Sequence, residues 1–438
     1  MKKVAFHTLG CKVNTYESEA MKKLFESDGY EVVDFKEVAD VYVVNTCTVT
    51  NTGDSKSRQM IRRAIRKNPD ACVCVTGCYS QVATHEIEEI EGVGVILGTQ
   101  YRHDIVRFAN DFLQTGIKQV HVDNIMNTKR FEDLHVASFS ENTRAFLKIQ
   151  DGCNNFCTYC IIPYARGLVR SRPKESVIKE AQELVDHGFV EIVLTGIHTA
   201  GYGMDLDNYR FVDLLADITS EVKGLKRLRI SSIETSQITQ EVIDLISHDA
   251  LIVDHLHIPI QSGCNSVLKR MNRKYTTEQY YDKICQIREV LPDIAITTDV
   301  IVGFPQETEE EFESIREFIE KVGFSELHVF PYSKRKNTPA SRMSGQIDEQ
   351  EKNRRTHILL TLSKSLHRDY ANKFIGKQLE VIFEEKNKEG YFVGHASNYL
   401  KVRIKDDTIE LGKPTQVIMT DYIEPFCDCR KEDNHGNE

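Results

Sequence analysis

Short runs of apolar, mostly β-branched residues alternate with helical stretches through the first part of the chain, and this alternation constrains the fold most. The predicted strands are residues 3–8, 41–44, 72–76 and 93–97, and the predicted helices are 14–28, 54–67 and 101–113. Asn14 is the expected N-cap of the first helix, because Glu17 follows it three residues on, as in a capping box. Alternation of this kind predicts a small parallel sheet with right-handed crossovers.

A cysteine stands just beyond the end of three of these strands: Cys11, Cys47 and Cys78. Carboxyl ends of parallel strands share one edge of a sheet, and ligands gather there. We therefore expect the three thiols to converge and to hold an iron–sulfur cluster with one open iron. The alternative is simple burial, since free cysteine packs as a small hydrophobic residue. Cys72 and Cys74, inside the third strand, are expected in the core.

A second group of thiols has the spacing C-x3-C-x2-C and comprises Cys153, Cys157 and Cys160. Thiolates favour zinc, copper(I) or iron–sulfur clusters. Structural zinc usually takes four protein ligands, whereas a four-iron cluster held by three cysteines keeps one iron open for an external ligand. The spacing therefore favours an iron–sulfur cluster. A zinc knuckle or three unrelated buried thiols are the alternatives.

From residue 144 a longer strand–helix series begins. Its predicted strands are 145–150, 191–195, 228–231, 255–260, 296–302 and 326–330, with helices that include 175–187, 276–291 and 308–321. This series has fewer units than a closed eight-fold barrel, so it predicts an open, partial barrel. Sites form at the carboxyl ends of barrel strands. The candidate cofactor-binding residues there are Thr195, Gly196, Glu234, Gln261 and Gly303, for which a turn role is the alternative.

A charged helix, 347–372, is predicted to lead out of the partial barrel into a small all-β barrel. Such barrels often bind single-stranded nucleic acid. Lys401, Arg403 and Lys405 would form the RNA-binding face. Cys427 and Cys429 are expected to be exposed thiols in a polar tail.

Charge and cysteine content restrict the class of protein. The net charge of −10 argues against a globally basic nucleic-acid binder, but local basic patches are not excluded. Twelve cysteines in clusters favour metal or redox chemistry in the reducing cytoplasm. The N-terminal residues lack the apolar core of a signal peptide, and no stretch predicts a membrane span.

One predicted helix carries basic residues without compensating acids, and three arginines follow the second cysteine group. The helix could face RNA phosphates or could be a solvated surface. The three arginines could bind phosphates or carboxylates, or could be surface charges. These candidates are Lys56, Arg58, Arg62, Arg63, Arg66 and Lys67 on the helix, and Arg166, Arg170 and Arg172 after the cysteines.

Several motifs together resemble the methylthiotransferases of the radical S-adenosylmethionine superfamily, in particular the branch that acts on N6-threonylcarbamoyladenosine next to the tRNA anticodon. They are FHTLGCKVN, VVNTCTVTNTGDSKSRQ, VTGCYSQ, GCNNFCTYCIIPYARG, LTGIHT, HIPIQSG, DVIVGFP and HVFPYSKR. The resemblance implies an N-terminal methylthiotransferase domain (1–115), a linker (116–143), a radical domain with a partial (βα)6 barrel (144–345), a helical connector (346–372) and a TRAM β-barrel (373–433). Three residues depart from the family pattern: Gln306 and Asn337 stand where glycine is usual, and Cys264 where serine is usual.

The resemblance also implies two [4Fe-4S] clusters. Cys153, Cys157 and Cys160 would hold the cluster that binds and cleaves S-adenosylmethionine, and Cys11, Cys47 and Cys78 would hold an auxiliary cluster. Sulfur and a methyl group would then be added to carbon 2 of the adenine at position 37. The implied partners are the tRNA anticodon loop, an electron donor such as a flavodoxin-type reductant, and a sulfur donor.

Other readings remain open at this point. The target could be isopentenyladenosine in tRNA or an aspartate of a ribosomal protein, both within the same family. A non-catalytic RNA-binding protein with structural zinc is the alternative from another class.

Overall fold

The computed structural model describes residues 1–136 and 143–431 of the chain. Residues 137–142, which belong to the expected linker, and residues 432–438 lie outside the described part. No helix among the described residues is both long and apolar enough to cross a lipid bilayer.

The N-terminal part is a parallel sheet that we call the front sheet. Its strands run in the order β2-β1-β3-β4-β5-β6, and all neighbouring strands in this order are parallel. Its elements are β1 (Lys3–Thr8), α1 (Lys12–Ser27), β2 (Glu31–Val33), β3 (Val41–Thr46), α2 (Asn51–Lys67), β4 (Cys72–Gly77), α3 (Cys78–Val82), α4 (Thr84–Glu88), β5 (Val93–Leu97), α5 (Ile105–Thr115) and β6 (Gln119–His121).

The centre of the front sheet is buried on both faces, as expected for a parallel sheet covered by helices. Strands β3 and β4 are buried throughout, and Cys72 and Cys74 lie in this core as predicted. The predicted N-cap of α1 is wrong. Cys11 occupies that position without a side-chain hydrogen bond, and the amide of Asn14 is buried and donates to the carbonyls of Leu9 and Thr46 instead.

The middle part contains two three-stranded parallel sheets, β11-β10-β7 and β12-β13-β14, joined by a parallel bridge between Leu228 and Ile252. Together they form the expected partial barrel. Its elements are β7 (Ala145–Lys148), β8 (Gln150–Asp151), α6 (Ile162–Arg166), β9 (Arg170–Ser171), α7 (Lys174–Asp186), β10 (Glu191–Thr195), α8 (Phe211–Glu221), β11 (Arg227–Ile230), α9 (Gln240–His248), β12 (His255–His257), α10 (Asn265–Arg270), α11 (Thr277–Val290), β13 (Ala295–Val302), α12 (Glu309–Val322) and β14 (Glu326–Pro331).

Local sequence signals explain several boundaries of the partial barrel. Thr308 caps α12 and Glu311 returns the hydrogen bond, which is the predicted capping box. Gln306 and Asn337 adopt φ angles of 66° and 70°. Both positions therefore need the left-handed conformation that glycine adopts most readily.

The C-terminal part begins with α13 (Glu349–Asn372), which packs on β14. It continues as a closed barrel with the strand order β15-β16-β17-β19-β18. The strands are β15 (Gln378–Lys386), β16 (Phe392–Ala396), β17 (Lys401–Ile404), β18 (Pro414–Ile423) and β19 (Phe426–Lys431). The expectation of an exposed tail at Cys427 and Cys429 is wrong: both lie in β19, where Cys427 is 1% exposed, because β19 closes the barrel between β17 and β18.

Buried arginines attach this C-terminal barrel to the partial barrel. Arg227 donates to the Glu380 carboxylate at 2.9 Å, and Arg229 donates to the carbonyl of Ser397 at 3.1 Å. The ring of Tyr399 stacks on that of His255, with centroids 4.8 Å apart. The C-terminal barrel therefore contributes a wall to the space above the barrel strands.

Candidate active site

The front sheet brings Cys11, Cys47 and Cys78 to one edge. They follow β1, β3 and β4, which are adjacent and parallel, so their carboxyl ends lie side by side. The backbone at Gly10, just before Cys11, packs closely against Cys47: a Cβ on Gly10, whose φ is 110°, would lie 3.2 Å from Cys47 Sγ. We call these three residues the front triad.

Two thiols of the front triad, Cys47 and Cys78, lie in a partly desolvated environment, whereas Cys11 is exposed. Burial raises the pKa of the Cys78 thiol to about 11, and Arg166 acts against this shift. Burial also raises the pKa of Cys47. Arg166 Nε donates to Cys78 Sγ at 3.1 Å, although Arg166 comes from α6 of the partial barrel. An N–H directed at sulfur stabilises the thiolate form that metals require.

The second group, Cys153, Cys157 and Cys160, lies on the loop between β8 and α6, and we call it the barrel triad. All three residues line one cavity of about 260 Å³. The loop is anchored by backbone contacts: Cys153 N donates to Gly167 O, and Thr158 N donates to Met271 O, both at 3.0 Å. The three thiols are therefore presented together to one space.

Arg273 donates a hydrogen bond to a sulfur of the barrel triad, as Arg166 does to a sulfur of the front triad. It donates to Cys157 Sγ at 3.3 Å and to the Glu234 carboxylate at 2.9 Å. Burial raises the pKa of Cys153 to about 11 and that of Cys160 to about 12. Sequence reasoning missed Arg273, because it lies more than a hundred residues from the thiols and in no recognisable metal-binding pattern.

The two triads open into adjoining cavities. Cys11 lines a cavity of about 510 Å³ that also reaches the carboxyl ends of the barrel strands. Ser232 and Asp299 border both this cavity and the cavity of the barrel triad. A third cavity of about 250 Å³ touches Cys160 and Asp299. One ligand spanning these cavities could therefore meet both triads.

Four of the five predicted cofactor-binding residues line these cavities. Thr195 and Gly196 border the large cavity, and Glu234 and Gln261 border that of the barrel triad. Gly303 is not among the residues that line these three cavities, and its role in cofactor binding stays a prediction. Its φ is 68° and a Cβ there would lie 2.2 Å from Lys352 Cγ, so close packing against α13 explains this glycine.

Sequence reasoning also missed a cluster in the large cavity that consists of His257, Asp299 and His328. His257 Nε2 lies 3.3 Å from the Asp299 carboxylate, and His328 Nδ1 lies 3.2 Å from it. Burial would raise the pKa of Asp299, but hydrogen bonds from both histidines hold it well below its usual range. The sequence did contain a signal for this cluster, because the three residues lie in predicted strands, within the motifs HIPIQSG, DVIVGFP and HVFPYSKR.

A buried charge network joins the front sheet to the partial barrel. Glu17, on α1, is fully buried and accepts hydrogen bonds from Lys148 and Arg166. Arg102 lies 3.2 Å from the same carboxylate. Burial alone would raise the pKa of Glu17, but the three cations outweigh it and lower the pKa to about 2. The network places Arg166 where it can reach Cys78.

The three arginines after the barrel triad bind carboxylates, which is one of the alternatives expected for them, and they are too buried to contact RNA. Arg166, Arg170 and Arg172 are at most 3% exposed. Their guanidinium groups face buried acids, including Glu180 for Arg172, because the loop after the triad turns into the domain interface.

The basic residues of α2 lie at the surface, as an RNA-binding face requires. Those that are exposed are Lys56, Arg62, Arg63, Arg66 and Lys67, and Arg58 is half-buried and donates to the hydroxyl of Tyr79. In the C-terminal barrel, Lys401 lies over the ring of Phe426 and Arg403 pairs with Asp428. An RNA contact by these residues stays a prediction.

The donor set of each triad fits an iron–sulfur cluster. The described cysteines form no disulfide, so all six thiols are free to coordinate. Each triad supplies three soft sulfur ligands, borders a cavity that a non-protein ligand of the open iron could enter, and receives one arginine N–H on sulfur.

Two family models match the chain. "Uncharacterized protein family UPF0004" matches residues 3–98, and "Radical SAM superfamily" matches residues 147–319. These spans contain the front triad and the barrel triad, respectively.

Two relatives and one solved structure define the similarity further. The chain is 55% identical to the threonylcarbamoyladenosine tRNA methylthiotransferase MtaB of Bacillus subtilis, over 95% of this chain and 93% of that protein. It is 35% identical to the tRNA-2-methylthio-N(6)-dimethylallyladenosine synthase of Clostridium perfringens, over 93% and 92%. The radical S-adenosylmethionine methyltransferase TsrM of Kitasatospora setae has a similar fold, with a TM-score of 0.57, 16% identity and coverage of 77% of each chain.

Proposed function

We infer the function of this chain from one premise: it belongs to the radical S-adenosylmethionine tRNA methylthiotransferases. It converts N6-threonylcarbamoyladenosine in tRNA to the 2-methylthio derivative, at position 37 beside the anticodon. The observation that carries this conclusion is that Cys11 of the front triad and all three thiols of the barrel triad line adjoining cavities, with Asp299 and Ser232 in common.

The barrel triad would hold the four-iron cluster that binds S-adenosylmethionine, and the front triad would hold the second four-iron cluster. Bound there, the clusters would pass on the electron of an external reductant and carry the sulfur, and S-adenosylmethionine would supply the radical and the methyl group, so that an aromatic C–H bond is exchanged for a C–S bond. A flavodoxin-type reductant and a separate sulfur donor would serve the chain as external partners.

The chain's own side chains hold this arrangement in place. Arg273 and Arg166 each direct one N–H at a ligand sulfur while a carboxylate, Glu234 or Glu17, fixes the guanidinium. Asn272 supports the thiol loop by donating to Phe156 O at 3.0 Å. Both triads sit in partly desolvated surroundings, where charge–dipole interactions are stronger than in water.

The RNA would approach from the side where the cavities open. The large cavity lies between Cys11 and the carboxyl ends of β10 to β13 and has the volume of a small-molecule site. Single-stranded RNA is recognised through unstacked bases and phosphate contacts. The exposed basic face of α2 and the C-terminal barrel would supply the phosphate contacts.

Iron content tests the ligand assignment. The anaerobically reconstituted chain should bind roughly eight irons, as two four-iron clusters require. Cys153→Ala and Cys11→Ala should each reduce this to roughly four. Cys285→Ala, which removes a half-buried thiol on α11, is the matched control and should leave the iron content unchanged. An unchanged content in Cys153→Ala would reject the assignment.

Mass spectrometry of tRNA nucleosides tests the substrate. A strain that lacks the gene should lose the 2-methylthio form of N6-threonylcarbamoyladenosine and regain it on complementation. Loss of the 2-methylthio form of dimethylallyladenosine instead would identify the target named for the Clostridium relative. Unchanged tRNA together with a modified ribosomal protein would overturn the tRNA assignment, and a colourless zinc protein would overturn the enzyme assignment.

A further inference from the structure

The lining of the large cavity includes charged side chains, which an apolar substituent on adenosine would not need. Its wall next to the front triad is formed by Gly10 to Val13, and the opposite wall by residues of β10 to β14 and of the loops after β10 and β11. Tyr399 of the C-terminal barrel lines it as well. Hydroxyls, imidazoles and charged groups lie among the lining side chains, so a polar substituent of the base would find hydrogen-bond and ion-pair partners there.

One cation of this lining forms no ion pair with the described residues. Arg229 pairs with Glu191 at 2.7 Å, and His257 and His328 both contact the Asp299 carboxylate. Lys12 lines the same cavity, is half-buried, and forms no hydrogen bond or ion pair with any residue that the structure describes. A partly desolvated ammonium without a partner is unfavourable, and the carboxylate of a ligand would supply the missing negative charge.

A second polar group of the cavity also lacks a partner. His255 is 5% exposed, and its Nδ1 has no hydrogen-bond partner among the described residues. Its Nε2 lies 3.0 Å from the hydroxyl of Thr297, which His257 Nδ1 also approaches at 2.9 Å. Buried polar atoms are normally hydrogen-bonded, so this nitrogen points independently to a polar ligand.

We propose that this cavity binds the N6-threonylcarbamoyl group of the substrate, with the Lys12 ammonium paired to the threonine carboxylate. This proposal rests on the function proposed above and names the residue that selects the substrate. The group carries one carboxylate together with urea-type and hydroxyl groups, which match one free cation and an unpartnered imidazole nitrogen. An N6-dimethylallyl group offers none of these contacts.

The position of Lys12 suits this role. Lys12 follows Cys11 of the front triad directly and is the first residue of α1, where the helix dipole also favours an anion. An ion pair with Lys12 would hold the N6 side of the base near the front triad. The ring would then extend into the adjoining cavity that the barrel triad lines. Asp299, which supplies the carboxylate of the lining, is already compensated by its two histidines.

The test compares RNA hairpins that differ only in charge. Anticodon stem–loops would carry N6-threonylcarbamoyladenosine, its carboxamide, in which a neutral amide replaces the carboxylate, or unmodified adenosine. Binding and turnover are measured with the reconstituted wild-type enzyme, Lys12→Gln and Lys12→Arg, and the iron content of each variant verifies cluster loading.

The wild-type enzyme should bind the carboxylate hairpin about tenfold or more tightly than the carboxamide, as expected for a charge-assisted hydrogen bond. Lys12→Gln should lose this preference, with KM raised far more than kcat is lowered, and Lys12→Arg should retain most of it. Lys56→Gln, on the exposed face of α2, is the matched control and should weaken all three hairpins alike.

The outcomes separate the two proposals. Product formation by a wild-type enzyme that does not distinguish carboxylate from carboxamide would overturn the carboxylate site and leave the proposed function standing. A preference that persists in Lys12→Gln would overturn the role of Lys12. Absence of methylthio product from the carboxylate hairpin with the wild-type enzyme would overturn the proposed function, and the site with it.

Discussion

Replacing Glu17 by glutamine should destabilise the fold strongly, because it removes the anion at the centre of a buried network. The change keeps the shape of the side chain but leaves Arg102, Arg166 and Lys148 with one fewer carboxylate. Asp151 and Glu132 remain as partial compensation. Removing one partner of a buried ion pair typically costs about 3–5 kcal/mol.

The pKa of Glu17 leads to a similar magnitude. It is lowered from 4.5 to about 2 in the folded chain. A difference of about 2.5 in pKa corresponds to about 3 kcal/mol. Because the folded-state pKa is the lower one, this stability is present above pH 4.5 and is lost as the pH falls from 4.5 to about 2. The difference between wild type and Glu17→Gln should therefore shrink over that window.

Urea titration of the iron-free chain at pH 7, followed by circular dichroism, would measure this loss. Glu26→Gln is the matched control on the same helix. It removes an exposed pair with Lys23 and should cost at most about 0.5 kcal/mol. Glu17→Gln should also lower iron retention at the front triad, since Arg166 loses a partner that aims it at Cys78. A free energy of unfolding within about 1 kcal/mol of wild type would refute the reasoning, given the expected cost.

Two further changes test the thiol loop and the RNA surface. Gly152→Ala would place a Cβ 1.9 Å from Leu168 O at a φ of 76°, so the loop must move and iron should fall to roughly one cluster's worth. Gly188→Ala is the control, because Gly188 has a φ of 95° but nothing within 4 Å of an added Cβ. It should lower the free energy of unfolding by only about 1–2 kcal/mol and leave the iron content unchanged. An equal loss of iron in both variants would contradict the steric explanation. Arg62→Gln combined with Arg66→Gln should weaken tRNA binding and reduce the salt slope by about one per lost phosphate contact. An unchanged slope would exclude a phosphate-facing role for α2.

The parallel sheet and the positions of the thiols could be predicted together, because both follow from local pattern. Cys11, Cys47 and Cys78 each stand one to three residues beyond a β-branched run, and parallel strands must end at one edge. The barrel triad was readable for a simpler reason, since its thiols are neighbours in sequence. Neither inference needed any knowledge of side-chain packing.

Charge pattern alone misled where burial decided the outcome. Arg166, Arg170 and Arg172 read as a basic surface run but are buried against acids from distant parts of the chain. Cys427 read as part of a polar tail but completes a barrel core, because β19 fills the gap between β17 and β18. A residue's own neighbours in sequence do not reveal what covers it.

By itself, the sequence determined the alternation of elements, the two sulfur triads and hence the class of chemistry. Only the tertiary structure decided which side chains serve those triads and what the cavity between them can accept. Arg166 reaches Cys78 across the interface between the front sheet and the partial barrel, and Arg273 reaches Cys157 from a distant part of the partial barrel. Lys12 lines the cavity at that interface without an ion pair to any described residue. Such contacts depend on packing and on which charged side chains pair with one another, and neither produces a periodic pattern in the amino-acid sequence.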